Sequence, residues 1–117
     1  QNDMSLKISG SGDITMNKIT GTQNLIVKIS GSGDINLQDD FSLLKRIDIS
    51  MSGSGNFLGF NAFAKACYVS NSGSGKNEVY ATEILDVSMS GSGNTYYKGT
   101  PQITKSISGS GAVINAN

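Results

Sequence analysis

The chain contains no histidine and no tryptophan, and it has one cysteine and one proline. Each scarcity removes a class of chemistry. Without histidine there is no Ser-His-Asp or Cys-His machinery, and the commonest general acid/base and metal ligand are missing. With Cys67 alone, no intrachain disulfide and no cysteine zinc site can form. Charge is sparse at 15%, and nine basic residues balance nine acidic ones. That balance argues against a nucleic-acid partner, whose binding needs a basic patch on phosphates. It also removes a simple electrostatic case for an anionic membrane. No apolar run nears the roughly 18 residues that a membrane-spanning helix needs, so membrane insertion is not expected. No export signal is visible in the sequence.

Glycine and serine, by contrast, are abundant and ordered. The string SGSG occurs six times, beginning at Ser9, Ser30, Ser52, Ser72, Ser90 and Ser108. The spacings are 21, 22, 20, 18 and 18 residues, in the range of solenoid repeats. Around each motif apolar residues alternate with polar ones. In the first copy Met4, Leu6, Ile8, Gly10, Gly12, Ile14 and Met16 take one phase; Ser5, Lys7, Ser9, Ser11, Asp13 and Thr15 take the other. Period 2 marks strands with one buried face. The best helical candidate, Asp40 to Arg46, is short for a helix.

Stacking the repeats predicts an all-β parallel β-helix, one domain over residues 1–117, with about six rungs. Inner columns of like residues follow: Leu6, Val27, Ile49, Val69 and Val87 in one, and Ile8, Ile29, Met51, Met89 and Ile107 in another. The glycines fall on the inward phase, as expected at a corner too narrow for a side chain. The serines form outward polar columns. The segments Lys18–Asn24, Gln38–Arg46, Gly59–Ala66, Ala81–Glu83 and Lys98–Gln102 should supply a third side and its loops, with Phe57, Phe60 and Phe63 packed beneath. Asn71 and Lys105 interrupt the inner columns, and the simplest expectation for both is a bulge or a frayed last coil. Cys67 and Tyr97 fall on the inward phase and read as core.

The candidate chemistry is thin. SGSGD invites comparison with calcium-binding glycine-aspartate repeats, but the residue after each motif is Asp13, Asp34, Asn56, Lys76, Asn94 and Ala112. Two carboxylates and a lysine do not make a ladder for an ion that wants six or more oxygens. No helix start follows the glycines, as a phosphate loop would require. Adjacent Asp39 and Asp40 would point to opposite faces of a strand. Asp13 and Asp34 should stack on neighbouring rungs, the nearest approach to a carboxylate pair, with no acid/base partner converging on them. Tyr68, Tyr80 and Tyr96 fall on the outward phase, where tyrosines give contact area at low entropic cost. The residues to test for ligand binding are therefore Tyr68, Tyr80, Tyr96, Asp13 and Asp34. No catalytic residue, metal site or cofactor is expected.

The segment LDVSMSGSGNTYYKGTPQITKSISGSGAVI, Leu85 to Ile114, resembles the C-terminal repeats of the bacterial family described as "putative auto-transporter adhesin, head GIN domain". The rungs LKISGSGDITM and LIVKISGSGDINL fit the same pattern, and Tyr97-Lys98-Gly99-Thr100-Pro101 before the last SGSG is the most specific part. The resemblance covers nearly the whole chain. It implies a right-handed β-helix in an exported bacterial protein, secreted, periplasmic or at the cell surface, with no agreed catalytic residue. A right-handed crossover is also the strong preference of parallel strands. Members of the family look longer, so the chain is either a short member or the C-terminal part of a longer domain. The expected function is a non-enzymatic adhesin-like module with a glycan or extracellular-matrix ligand. The alternatives are a purely structural repeat and a carbohydrate-active β-helix. Stackable ends would also allow end-to-end homo-oligomers.

Overall fold

The computed structural model describes residues 3–16, 24–37 and 41–116, and their regular structure is entirely strand. The elements are β1 (Asp3–Gly10), β2 (Ile14–Met16), β3 (Asn24–Gly31), β4 (Ile35–Leu37), β5 (Phe41–Gly53), β6 (Phe57–Asn71), β7 (Asn77–Met89), β8 (Thr95–Lys98), β9 (Gln102–Ile107) and β10 (Val113–Asn115). Every pairing is parallel. The chain is thus the expected parallel β-solenoid. The six SGSG corners delimit about five stacked turns rather than six.

A first face is built from the strands that enter each SGSG corner: β1, β3, the C-terminal parts of β5, β6 and β7, and then β9. A second face is built from the strands that leave the corner: β2, β4, the starts of β6 and β7, then β8 and β10. The register keeps like residues together. Leu6 pairs with Val27, Val27 with Ile49, Ile49 with Val69 and Val69 with Val87. Val27, Ile49, Val69 and Val87 are all buried, so a rung that could not shelter its own apolar side does so by stacking.

The third side is more regular than the sequence suggests. Gly59–Ala66 lies within β6 and Ala81–Glu83 within β7, so these segments are strand with register shifts, not loops. Phe41–Arg46 opens β5, so the helical candidate is strand, held by its pairing with Ala62 and Ala64. Tertiary pairing overrides weak local propensity there. Phe57 is buried in the core, whereas Phe63 is half-buried and packs on Tyr80. Asp39, Asp40, Gln38, Asn17 and most of Lys18–Asn24 lie outside the described residues, as do the side chains of Met4, Met16 and Phe60.

The glycines need two explanations instead of one. The second glycine of each motif is buried at Gly33, Gly55, Gly75 and Gly93; the first is exposed or half-buried. From Gly33 onward the second glycine is excluded from bearing a side chain by the rung below, not by the far wall. A Cβ on Gly75 would lie 1.6 Å from the carbonyl oxygen of Gly55. The first glycine also makes the turn, and Gly53 has φ of +110°, a conformation that L residues rarely adopt.

Asn71 is no bulge. It pairs in register with Met51 and Met89 and is buried. Its side chain spans the corner, donating to the Gly75 carbonyl at 3.0 Å and accepting from the Gly73 amide at 2.9 Å. That satisfies a polar group inside an apolar column. Lys105 pairs in register with Val87 and is exposed, so its charge stays in water at the last first-face strand. Tyr97 is half-buried against the core, and Cys67 is fully buried.

Candidate ligand-binding face

Outward residues on the first face also stack in columns. Four residues before each motif the column reads Ser5, Ile26, Asp48, Tyr68, Asp86 and Thr104. The next outward column reads Lys7, Lys28, Ser50, Ser70, Ser88 and Ser106. Large side chains in the first column beside serines in the second leave a groove of about 500 Å³, lined by Ile26, Lys28, Asp48, Ser50, Tyr68 and Asp86.

Tyr68 lines this groove. Strand pairing sets it opposite Asp48 of β5 and Asp86 of β7, each about 4.8 Å away along the stack. Arg46, two residues before Asp48, bonds that carboxylate through Nε at 3.0 Å. Its guanidinium carbon lies 4.4 Å from the Tyr68 ring centroid. One cation is therefore already shared between an aromatic face and a carboxylate. This pair is largely exposed, so its contribution to stability is small, about 0–1 kcal/mol.

The other tyrosines face elsewhere. Tyr80 and Tyr96 lie on the second face. Tyr80 packs on Phe63 with ring centroids 4.6 Å apart. Tyr96 lies beneath Lys76, whose ammonium is 5.9 Å from the ring centroid and 3.2 Å from Glu78. The three tyrosines thus do not make one surface.

Asp13 and Asp34 do stack, and their carboxylates are used between rungs. Asp13 Oδ1 accepts the Asp34 amide at 3.0 Å, and Asp34 Oδ1 accepts the Asn56 amide at 3.0 Å. Asn56 Oδ1 then accepts the Lys76 amide at 2.9 Å, and Asn94 Oδ1 accepts the Ala112 amide at 3.0 Å. This Asp/Asn column satisfies backbone donors at corners where the ladder is interrupted. Among the described residues no group of three or more His, Cys, Asp or Glu could hold a metal ion. Cys67 is chemically quiet: burial, and secondarily the nearby Asp48 charge, push its thiol pKa well up.

Sequence reasoning found Tyr68 but missed its partners Arg46, Asp48 and Asp86. Registered on SGSG, the outward phase places the last two beside it.

Residues 1–101 match the family described as "putative auto-transporter adhesin, head GIN domain". The chain belongs to that family. A solved structure of a putative adhesin from Bacteroides fragilis is similar over 98% of this chain and 54% of its own, with 29% identity and a TM-score of 0.81. A second, a putative lipid binding protein from Parabacteroides distasonis, is similar over 99% of this chain and 56% of its own, with 29% identity and a TM-score of 0.73. The chain spans just over half the length of these two proteins. A search of the curated proteins finds no match. The family and one of these two proteins are described as adhesins, and the other as a lipid binding protein.

Proposed function

We propose that this head GIN module is an exported, non-catalytic binding unit of the bacterial cell envelope, and that it holds an extracellular glycan or matrix ligand in the groove around Tyr68. The observation that carries this reading is the groove itself: an aromatic ring flanked by carboxylates and serine hydroxyls on one sheet face, in a chain of an adhesin family. Aromatic rings that carry a polar tip are favoured at binding surfaces because they bury much area with few rotatable bonds. A non-catalytic role is supported by the lack of histidine and by the inter-rung use of Asp13 and Asp34, the nearest candidates for a carboxylate pair. The family description and the adhesin relative support export.

The test is binding of the labelled chain to an array of bacterial and host glycans with mucin and collagen. Wild type is compared with Tyr68→Ala and with a Tyr80→Ala/Tyr96→Ala double variant. A saturable hit lost in Tyr68→Ala and kept in the double variant is the expected result. Retention in Tyr68→Ala with loss in the double variant would move the site to the second face. Absence of any hit with folded protein would leave a structural repeat without a ligand of its own. Turnover of a polysaccharide would make the module an enzyme and refute the non-catalytic reading.

A further inference from the structure

Tyr68 lies between two rungs that match at one position and differ at the next. On the β5 side the outward pair is Arg46 and Asp48; on the β7 side it is Ile84 and Asp86. The β5 carboxylate has its cation, and that cation also covers the tyrosine ring. The β7 carboxylate has none: Asp86 is exposed and makes no ion pair with a described residue. Where β5 supplies arginine, β7 supplies Ile84, an apolar side chain 42% exposed.

We propose that the β7 side of the groove takes its cation from the ligand: the ammonium or guanidinium of a lysine or arginine side chain on an extracellular protein sits against Asp86 beside Tyr68, with its methylene stem over Ile84. This rests on reading the groove as the binding face and names its ligand chemistry. A long cationic side chain lays its stem on apolar surface while its head stays solvated. The Arg46–Tyr68–Asp48 contact already displays the mode within the chain. Lys28, which also lines the groove, stands three strands from Asp86, about 14 Å along the stack, too far to neutralise it.

The experiment is an NMR titration of the whole 117-residue chain, following the Tyr68 ring and Ile84 methyl signals. The probes are Nα-acetyl-lysine amide, its Nε-acetylated form, and neutral maltotriose. The lysine probe should bind saturably and weaken with added salt; the Nε-acetylated probe should not bind. Asp86→Asn should weaken the lysine probe about three- to fivefold, as for an exposed ion pair. Arg46→Ala, which frees Asp48 and one side of the ring, should strengthen it about twofold. Both positions are exposed, so thermal melts of the variants should match wild type. Equal binding of the acetylated probe, no effect of Asp86→Asn, or no shift with the lysine probe would each overturn the proposal. If maltotriose or an array ligand then still binds in a Tyr68-dependent way, the groove remains the binding face and only the cation assignment falls. If no ligand depends on Tyr68, both fall.

Discussion

Gly75→Ala adds a single methyl group, yet it should be among the most damaging substitutions in the chain. The added Cβ would lie 1.6 Å from the Gly55 carbonyl oxygen, 2.8 Å from the carbonyl carbon and 3.0 Å from Met51 Cε. The first two are backbone atoms of the next rung and cannot rotate away. Reaching even a tight contact of about 3 Å requires the rungs to separate locally by more than 1 Å. Two hydrogen bonds flank the site: Ser74 N to Gly53 O at 2.9 Å, and Lys76 N to Asn56 Oδ1 at 2.9 Å. Such a separation breaks both, at about 1 kcal/mol each. Overpacking adds about 1–3 kcal/mol. The expected loss is therefore about 3–5 kcal/mol, or on the order of 15 °C in melting temperature. Gly12→Ala is the internal control: the same residue of the same motif, with nothing within 4 Å of the added Cβ. By restricting the unfolded chain it should be neutral or stabilising by up to about 1 kcal/mol. Urea unfolding of the two variants decides the matter. Equal stabilities would refute the view that the buried glycines are set by contact between rungs.

Asn77→Leu should stabilise the chain by about 1–2 kcal/mol, because it removes a buried acceptor, Asn77 Oδ1, that has no partner, and surrenders only a long 3.5 Å bond to Thr95; a lower melting temperature would contradict this. Asp34→Ala should cost about 1–2 kcal/mol by stranding the Asn56 amide, and the loss should show as faster hydrogen exchange at that amide; unchanged exchange would count against the Asp/Asn column. Stability should also fall at alkaline pH through Cys67. Its folded pKa is raised, so above roughly pH 8.5 the unfolded thiol releases a proton that the folded one keeps, and stability drops by about 1.4 kcal/mol per pH unit. Below that pH the contribution is complete. Cys67→Ala should flatten the slope between pH 8.5 and 9.5, and an unchanged slope would remove Cys67 as its source.

How far the sequence could be read depended on which physical constraint repeats. The inner columns repeat because the inner rungs bury the same wall, so Val27, Ile49, Val69 and Val87 are legible as one column in the sequence. The corner glycines repeat for a constraint that acts between rungs, along the stack. Sequence alone located them but suggested the wrong neighbour, because a one-dimensional pattern does not distinguish a clash across the coil from a clash with the coil below. Asn71, Asn77 and Thr95 show the limit from the other side. All three are buried in columns that elsewhere hold Ile, Met, Phe or Val, and only the structure shows that Asn71 is satisfied by Gly73 and Gly75 while Asn77 Oδ1 is not. The candidate site repeats least. Ile26, Asp48, Tyr68 and Asp86 share one outward column and mix aliphatic, acidic and aromatic side chains. A solenoid fixes where outward side chains stand, at about 4.8 Å steps, without fixing what they are. That freedom is what makes the face suited to recognition: one column can place an aliphatic, two acids and an aromatic ring side by side, while the glycine and serine corners that hold the rungs together stay the same.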